Sequence, residues 1–286
     1  MRQLIKQIIY RSGKIIKNLY WVFVGRRHSV FGVKLRLVRE TVFPDFWNLR
    51  LPVGGVKSKV VKYGDFVQMH SIVDFVERIE SSVTIIDVGA HHGAYAIVLG
   101  KILQRTKVGG KIIAIEPNPV SYSILRKNIY RNCLQHIVFC EQVAVSDKAG
   151  VMNISLLDVQ SSISANATSG TAPVQVVTLD MLIKKYGITN VDLLQVDVEG
   201  AELPVLKSFP WDKISVAKIF CEMHPYAWND FGYSGRDLSD FLRRRRLRCF
   251  DMFFNEHIEF YGSEYIGPSL LLSCDGVEIS SRTVAH

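Results

Sequence analysis

Four acidic residues and one histidine fall where short apolar runs end. Asp87 follows Thr84-Ile-Ile, Glu116 follows Ile112-Ile-Ala-Ile, Asp197 follows Leu194-Gln-Val, and Glu222 and His224 lie in Phe220-Cys-Glu-Met-His-Pro225. Each run is predicted to be a buried strand. Side chains alternate along a strand, so Gln195 and Asp197 share a face, and Glu199 joins them if the extended backbone persists. Glu222 and His224 share a face by the same rule. A core strand ending in a polar residue is ordinary, but several ending so at one sheet edge point to a site. Carboxylates there can hold sugar hydroxyls, and a carboxylate or imidazole can orient a hydroxyl or take its proton.

The stretch Thr84-Ile-Ile-Asp-Val-Gly-Ala-His-His-Gly93 reads as strand, glycine turn and the start of a helix. Gly89 and Gly93 are expected to let the backbone approach a ligand, and Glu116 to take two ribose hydroxyls, which makes a nucleoside pocket. A glycine turn alone is weak evidence. This one lacks the third glycine of a dinucleotide-binding turn, and an ionised Asp87 inside it would repel a pyrophosphate and welcome a cation. S-adenosylmethionine, with a sulfonium, an amino group and no phosphate, suits the turn better than NAD.

The elements that must position these groups follow from local pattern. Residues 30 to 63 read as short β segments and turns, and Phe66 to Ile79 as a helix entering the first core strand, Val83 to Val88. A helix follows Gly93, with Ala94, Ile97, Val98 and Ile102 inward, then strand Lys111 to Glu116. Asn118 before Pro119 is a strong N-cap for a helix to about Asn132. Ile137 to Val145 reads as one strand, and Met152 to Leu156 with Val174 to Val177 as a strand pair around the small-residue loop Ser161 to Gly170. A short helix closed by Gly187, strand Val191 to Val196, a helix from Ala201, strand Val216 to Met223 and helix Arg236 to Arg245 complete the βαβ series before the last β segments, Cys249 to Leu272. That alternation predicts a doubly wound, mostly parallel α/β sheet with helices on both faces and ligands outside the strands' carboxyl ends.

Asp87-Val-Gly-Ala-His-His-Gly93, Glu116-Pro-Asn-Pro119, Thr178-Leu-Asp180, Asp197-Val-Glu-Gly-Ala-Glu202 and Glu222-Met-His224, taken in order, resemble the successive motifs of the FkbM-type methyltransferases over about residues 64 to 255. The resemblance implies a class I methyltransferase Rossmann-like fold, S-adenosylmethionine as donor, and methyl transfer to a hydroxyl of a glycan, lipid-linked sugar or secondary metabolite. It places Asp87, Gly89, Ala90, His91, Gly93, Glu116 and Asn118 around the donor, and Asp197, Glu199, Glu222 and His224 at the acceptor. His91 departs from the pattern, which more often has Asn there. Among the acceptor-side residues, His224 is favoured as base by its titration range and Asp197 by its placement.

The chain of 286 residues carries a net charge of +8, and the excess is confined to one end. Met1 to Arg39 contains ten Lys and Arg and no Asp or Glu. Leu4, Ile5, Ile8, Ile9, Ile15, Ile16, Leu19, Tyr20 and Phe23 form one stripe of a basic amphipathic helix that either lies in a membrane interface or docks on protein. Its longest uncharged run, Asn18 to Gly25, is too short to span a bilayer. The expected division is a basic segment over 1–40, a cap over 41–80, the catalytic domain over 81–275 and a tail over 276–286. Five cysteines without a C-x-x-C pair fit a reducing, cytoplasmic setting, with any membrane contact peripheral, on the inner face, through residues 1–25. No H-x-x-x-H spacing occurs, and neighbouring His91 and His92 are expected to diverge, so no metal is assigned. Arg243 to Arg246 with Arg248 read as a solvated helix end rather than a nucleic-acid surface. The competing readings are an RNA methyltransferase, supported by basicity alone, and a membrane-peripheral protein using the scaffold without catalysis.

Overall fold

The computed structural model describes residues 26–30, 33–37, 68–155, 171–252, 255–257, 259–260 and 266–273. The expectations for the amphipathic helix over 1–25, the β segments of 38–63, the loop 161–170 and the tail 276–286 lie outside the described residues.

In chain order the strands are β1 (Arg26–Val30), β2 (Val33–Leu37), β3 (Val83–Val88), β4 (Gly110–Ile115), β5 (Val138–Glu141), β6 (Ala144–Val145), β7 (Gly150–Ser155), β8 (Thr171–Val177), β9 (Asn190–Val196), β10 (Ser215–Met223), β11 (Leu247–Asp251), β12 (Glu256–His257) and β13 (Gly267–Ser273). Helix α1 covers 68–77. The others are α2 (Ala94–Thr106), α3 (Pro119–Arg131), α4 (Leu179–Lys185), α5 (Glu202–Lys207) and α6 (Gly235–Arg244), with a 3-10 helix at Pro225–Phe231.

Eight strands form the main sheet in the order β12-β11-β13-β10-β9-β3-β4-β5. Neighbours from β10 to β5 are parallel, and β13 enters antiparallel between β10 and β11. Successive strands β3, β4 and β5 build outward in one direction, and β9 and β10 in the other. The order therefore reverses between β3 and β9, which opens a crevice at their carboxyl ends. Alternate strand residues feed two cores. Ile85, Ile112, Leu193 and Phe220 pack with α1, α2 and α3, while Ile86, Ile113, Leu194 and Cys221 pack with α4, α5 and α6. This is the expected doubly wound arrangement with helices on both faces.

Local signals set the helix ends. Asn118 Oδ1 accepts from Val120 N at 2.9 Å and Ser121 N at 3.3 Å, with Pro119 at the first turn of α3, so chain leaving β4 turns at once into a helix. On α1 the buried face is Gln68, Met69, Ile72, Val73 and Val76, and His70, Asp74 and Glu77 are solvent-facing or nearly so. Strand β2 buries Val33, Leu35 and Leu37 against the same core, and Asn132 holds it at both backbone atoms of Arg36, with bonds of 2.8 and 2.7 Å.

The segment expected as one strand from Ile137 to Val145 is two. Strand β5 closes the main sheet and β6 joins a separate three-stranded sheet in the order β6-β8-β7. Side-chain alternation continues through the break, with Val143 and Val145 in the main core and Ala144 in the small sheet's core, so periodicity could not reveal the change of partner. Strands β7 and β8 pair antiparallel, as expected for 152–156 and 174–177.

Candidate active site

Asp87, Glu116, Asp197 and Glu222 all lie within one residue of the carboxyl ends of four adjacent parallel strands, along the crevice. They divide into two groups.

The first surrounds the turn after β3. Gly89 N and Ala90 N both donate to Ile115 O, at 3.0 and 2.9 Å, so the turn's leading amides tie β3 to β4. Gly89 has φ 88°, and a Cβ there would sit 1.7 Å from the Asp197 carbonyl oxygen. The direction that a Cβ would take from Gly89 is thus filled by the backbone after β9. At Gly93 (φ 91°) a Cβ would stand 2.6 Å from Leu125 Cδ1, so this glycine seats α2 against α3. His91 adopts a left-handed φ of 48°, a conformation that His and Asn enter more readily than most residues. The turn folds its ring back onto His92, with centroids 3.8 Å apart and planes 18° from parallel. The two imidazoles were expected to diverge and instead stack.

Glu116 is buried and accepts from His91 N (Oε2, 2.8 Å) and Asn118 N (Oε1, 2.8 Å). Burial pushes its carboxyl up to about 7, against the pull of these two amides. Asp87, also buried, is pushed up to about 7 by burial and then by the neighbouring charge of Glu116, with the Ala96 amide opposing. Asp87 Oδ2 has no partner among the described residues. Gln68 Oε1 and Gln195 Nε2 are among the other buried atoms in that condition.

The second group centres on His224, whose ring is buried. Its Nδ1 bonds Glu202 Oε1 at 2.8 Å. Glu202 is fully buried at the start of α5 and also accepts from Gly200 N at 2.8 Å and Trp228 Nε1 at 2.7 Å, with the Tyr233 hydroxyl 3.0 Å away. This fixes the imidazole tautomer and plane, with Nε2 turned to Glu199 Oε2 at 3.5 Å, Glu222 Oε1 at 3.7 Å and Asp197 Oδ1 at 3.9 Å. Burial pulls the imidazole pKa down, but the Glu202 bond and the charges of Glu202, Glu199 and Glu222 outweigh it and raise the value. Glu199 reaches the cluster by leaving the extended conformation, with φ 50°, and the Tyr226 hydroxyl donates to it at 2.7 Å. Asp197, Glu199 and His224 each offer a ligand atom within 4.8 Å of the others, a spacing that could take a divalent cation.

All four expected acceptor-side residues are thus brought together. Glu202, Tyr226, Trp228 and Tyr233 were not foreseen in any role. A buried acid beside apolar Ala201 and Leu203 was the one available signal, and the aromatic partners had none. The arginines Arg243 to Arg246 and Arg248 are exposed, and Arg243, Arg245 and Arg248 pair with Asp240, Asp212 and Glu256. Among the described residues no helix is long and apolar enough to cross a membrane.

A mostly parallel sheet whose order reverses beside an acidic glycine turn, with a second buried acid after the next strand, is the Rossmann-like arrangement of the class I methyltransferase fold, whose donor is S-adenosylmethionine. A family model described as "Methyltransferase FkbM domain" matches residues 87–249, and the chain belongs to the FkbM methyltransferases. It is similar to "Methyltransferase sdnD" of Sordaria araneosa, with 28% identity over 165 residues, 46% of this chain and 62% of the relative. It is also similar to "Hexuronic acid methyltransferase AglP" of Haloferax volcanii, with 26% identity over 177 residues, 60% of this chain and 66% of the relative. The chain therefore spans a little under two thirds of the length of either relative. A solved O-methyltransferase from Bacillus cereus in complex with SAH aligns over 78% of this chain and 84% of its own, at 14% identity and a TM-score of 0.44.

The residues present fit the donor. Among the described residues Asp87 Oδ2 is a buried acceptor without a partner, suited to an ammonium, and Glu116 keeps lone pairs for ribose hydroxyls beyond the two amides that fix it.

Proposed function

We propose that this FkbM methyltransferase transfers methyl to a hydroxyl oxygen of a glycan, lipid-linked sugar or secondary metabolite. The observation that carries the reading is His224, a buried imidazole with Nδ1 pinned by Glu202 and Nε2 facing three carboxylates. The donor supplies a methyl carbon already activated by its sulfonium, so the protein's main task is alignment, worth roughly 7–11 kcal/mol. Asp87 holds the methionine end and Glu116 the ribose, at the turn formed by Gly89, Ala90, His91 and Gly93 and beside Asn118 at the start of α3. Asp197, Glu199 and Glu222 bind the acceptor's hydroxyls and orient the one that reacts. Nε2 of His224 takes its proton, a contribution of about 10²–10⁴-fold. The name of the Haloferax relative, a hexuronic acid methyltransferase, supports a polyhydroxy acceptor.

Labelled donor incubated with saccharide and lipid extracts tests the reading. A His224→Ala variant is expected to bind S-adenosylhomocysteine like the parent and to lose at least about 100-fold in turnover. Full turnover in that variant removes His224 as the base. The 4.8 Å grouping favours a second reading, in which Asp197, Glu199 and His224 hold a divalent cation that carries the hydroxyl. Loss of activity in chelator, restored by added cation, would decide for it.

A further inference from the structure

The layer of β2, α2 and α3 on one side of the sheet carries charge of a single sign. Between Val88 and Cys140 the chain has seven Lys and Arg and one acid, Glu116, which is buried. Strand β2 adds Lys34 and Arg36, both exposed, while Val33, Leu35 and Leu37 pack inward. Hydrogen bonds join these pieces into one surface. Asn132 holds the backbone of Arg36, and Arg131 Nη1 donates to Leu37 O at 3.3 Å. Gln104 Nε2 donates to Cys133 O at 3.5 Å, which brings the end of α2 to the turn after α3. On α3, Lys127, Tyr130 and Arg131 are exposed and adjacent by helical spacing. Arg105 pairs with Glu77 at the rim, but among the described residues Lys34, Arg36, Lys127 and Arg131 form no ion pair. Such a face repels itself and is relieved by an anionic partner.

The segment ahead of β1 selects the partner. Residues 1–25 hold five Lys and Arg, no acid and the apolar stripe read from the sequence, and they run directly into β1, which pairs with β2. Being of the same sign, that segment cannot neutralise the face. A nucleic acid would use the cations and leave the stripe idle. A bilayer with anionic headgroups uses both, since the stripe enters the interface and the cations meet the headgroups. Tyr130, 71% exposed between Lys127 and Arg131, is a residue type favoured at that depth.

We propose that the β2–α2–α3 face lies on an anionic membrane surface, with residues 1–25 entering the interface beside it. The proposal is independent of the assignment of donor, base and acceptor. Because α2 and α3 cover one face of the sheet, the sheet runs along the bilayer, and its carboxyl edge, with the crevice, faces along the headgroup layer.

The test is sedimentation of the full chain with phosphatidylcholine vesicles and with vesicles of about 30% phosphatidylglycerol. Binding to the anionic vesicles alone is expected, weakening as salt rises. Each cation near the surface contributes about fivefold, so a Lys34→Gln, Arg36→Gln, Lys127→Gln triple variant is expected to bind them roughly 30–100-fold more weakly. An Arg243→Gln, Arg244→Gln, Arg245→Gln triple variant removes the same charge from the exposed end of α6 and is expected to stay within about twofold of wild type. Urea unfolding checks that both fold. If the first does not, Lys127→Glu alone, at an exposed helix position, is expected to weaken binding about 10–25-fold. Equal losses in the two triple variants mean that net charge and not this face binds, which overturns the proposal. Undiminished binding in the first triple variant assigns the contact to residues 1–25 alone and overturns it too. So does equal binding to neutral vesicles, or binding of single-stranded RNA with steep salt dependence and of neither vesicle.

Discussion

Replacing Asp87 by asparagine is expected to stabilise the ligand-free protein above neutral pH while weakening its hold on the donor. Burial, with the charge of Glu116 second, raises the Asp87 carboxyl from 3.8 to about 7. At about 1.36 kcal/mol per pH unit, keeping it ionised in the folded chain costs on the order of 4 kcal/mol at pH 8. The sign is opposite to that of a salt-bridged acid. Between about pH 4 and 7 the folded protein holds this proton and the unfolded chain does not, so the contribution to stability falls as pH rises through that window and is fully lost above it. Asparagine keeps an oxygen for the Ala96 amide but sets an N–H₂ where Oδ2 lacks a partner, which costs about 1–3 kcal/mol. The net gain at pH 8 is therefore about 1–3 kcal/mol. Urea unfolding of both proteins at pH 5 and pH 8 measures it. The difference between wild type and Asp87→Asn should shift towards the variant by about 2.5 kcal/mol from the lower to the higher pH. A difference that does not change with pH refutes the reasoning, because the buried charge would then not be the source of the instability.

Glu116→Gln keeps oxygen for one backbone amide and loses the charged acceptor proposed for the ribose, so S-adenosylhomocysteine and 5′-methylthioadenosine should weaken alike, by about 10–100-fold, in calorimetry. With His224 as the proposed base, kcat/KM is expected to rise with pH towards a plateau above the ordinary histidine range. Glu199→Gln removes one of the charges that raise the imidazole and should move the rising limb to lower pH, read from rate profiles. Gly89→Ala drives a methyl into the Asp197 carbonyl, separated by 1.7 Å, at a φ of 88°, and a loss above about 4 kcal/mol in unfolding experiments is expected.

Much of the architecture was legible because it rests on local physics. Apolar runs of strand length, helical stripes, the Asn118 cap and the glycine turn each depend on residues within a few positions of one another. Acids at the ends of those runs needed only the rule that parallel strands share one carboxyl edge. What failed was what depends on a distant partner. Periodicity over 137–145 is continuous, yet β6 leaves the main sheet because its partner is β8. Gly89 also makes room for the chain itself, 108 residues later in sequence, which no local pattern signals.

The candidate cluster divides the same way. Sequence determined which side chains stand at the strand ends, since alternation fixes the face and strand length fixes the edge. Only the tertiary structure decided how they are arranged together. Setting β9 beside β3 brings Gln195 to Asp87, and the left-handed turn at Glu199 aims a carboxylate back at His224. Glu202 became the orienting partner because α5 buries it beneath the imidazole, where Trp228 and Tyr233 can reach it. Those contacts join residues that no local pattern links, and burial in a shared low-dielectric space, not adjacency in the chain, gives them their strength.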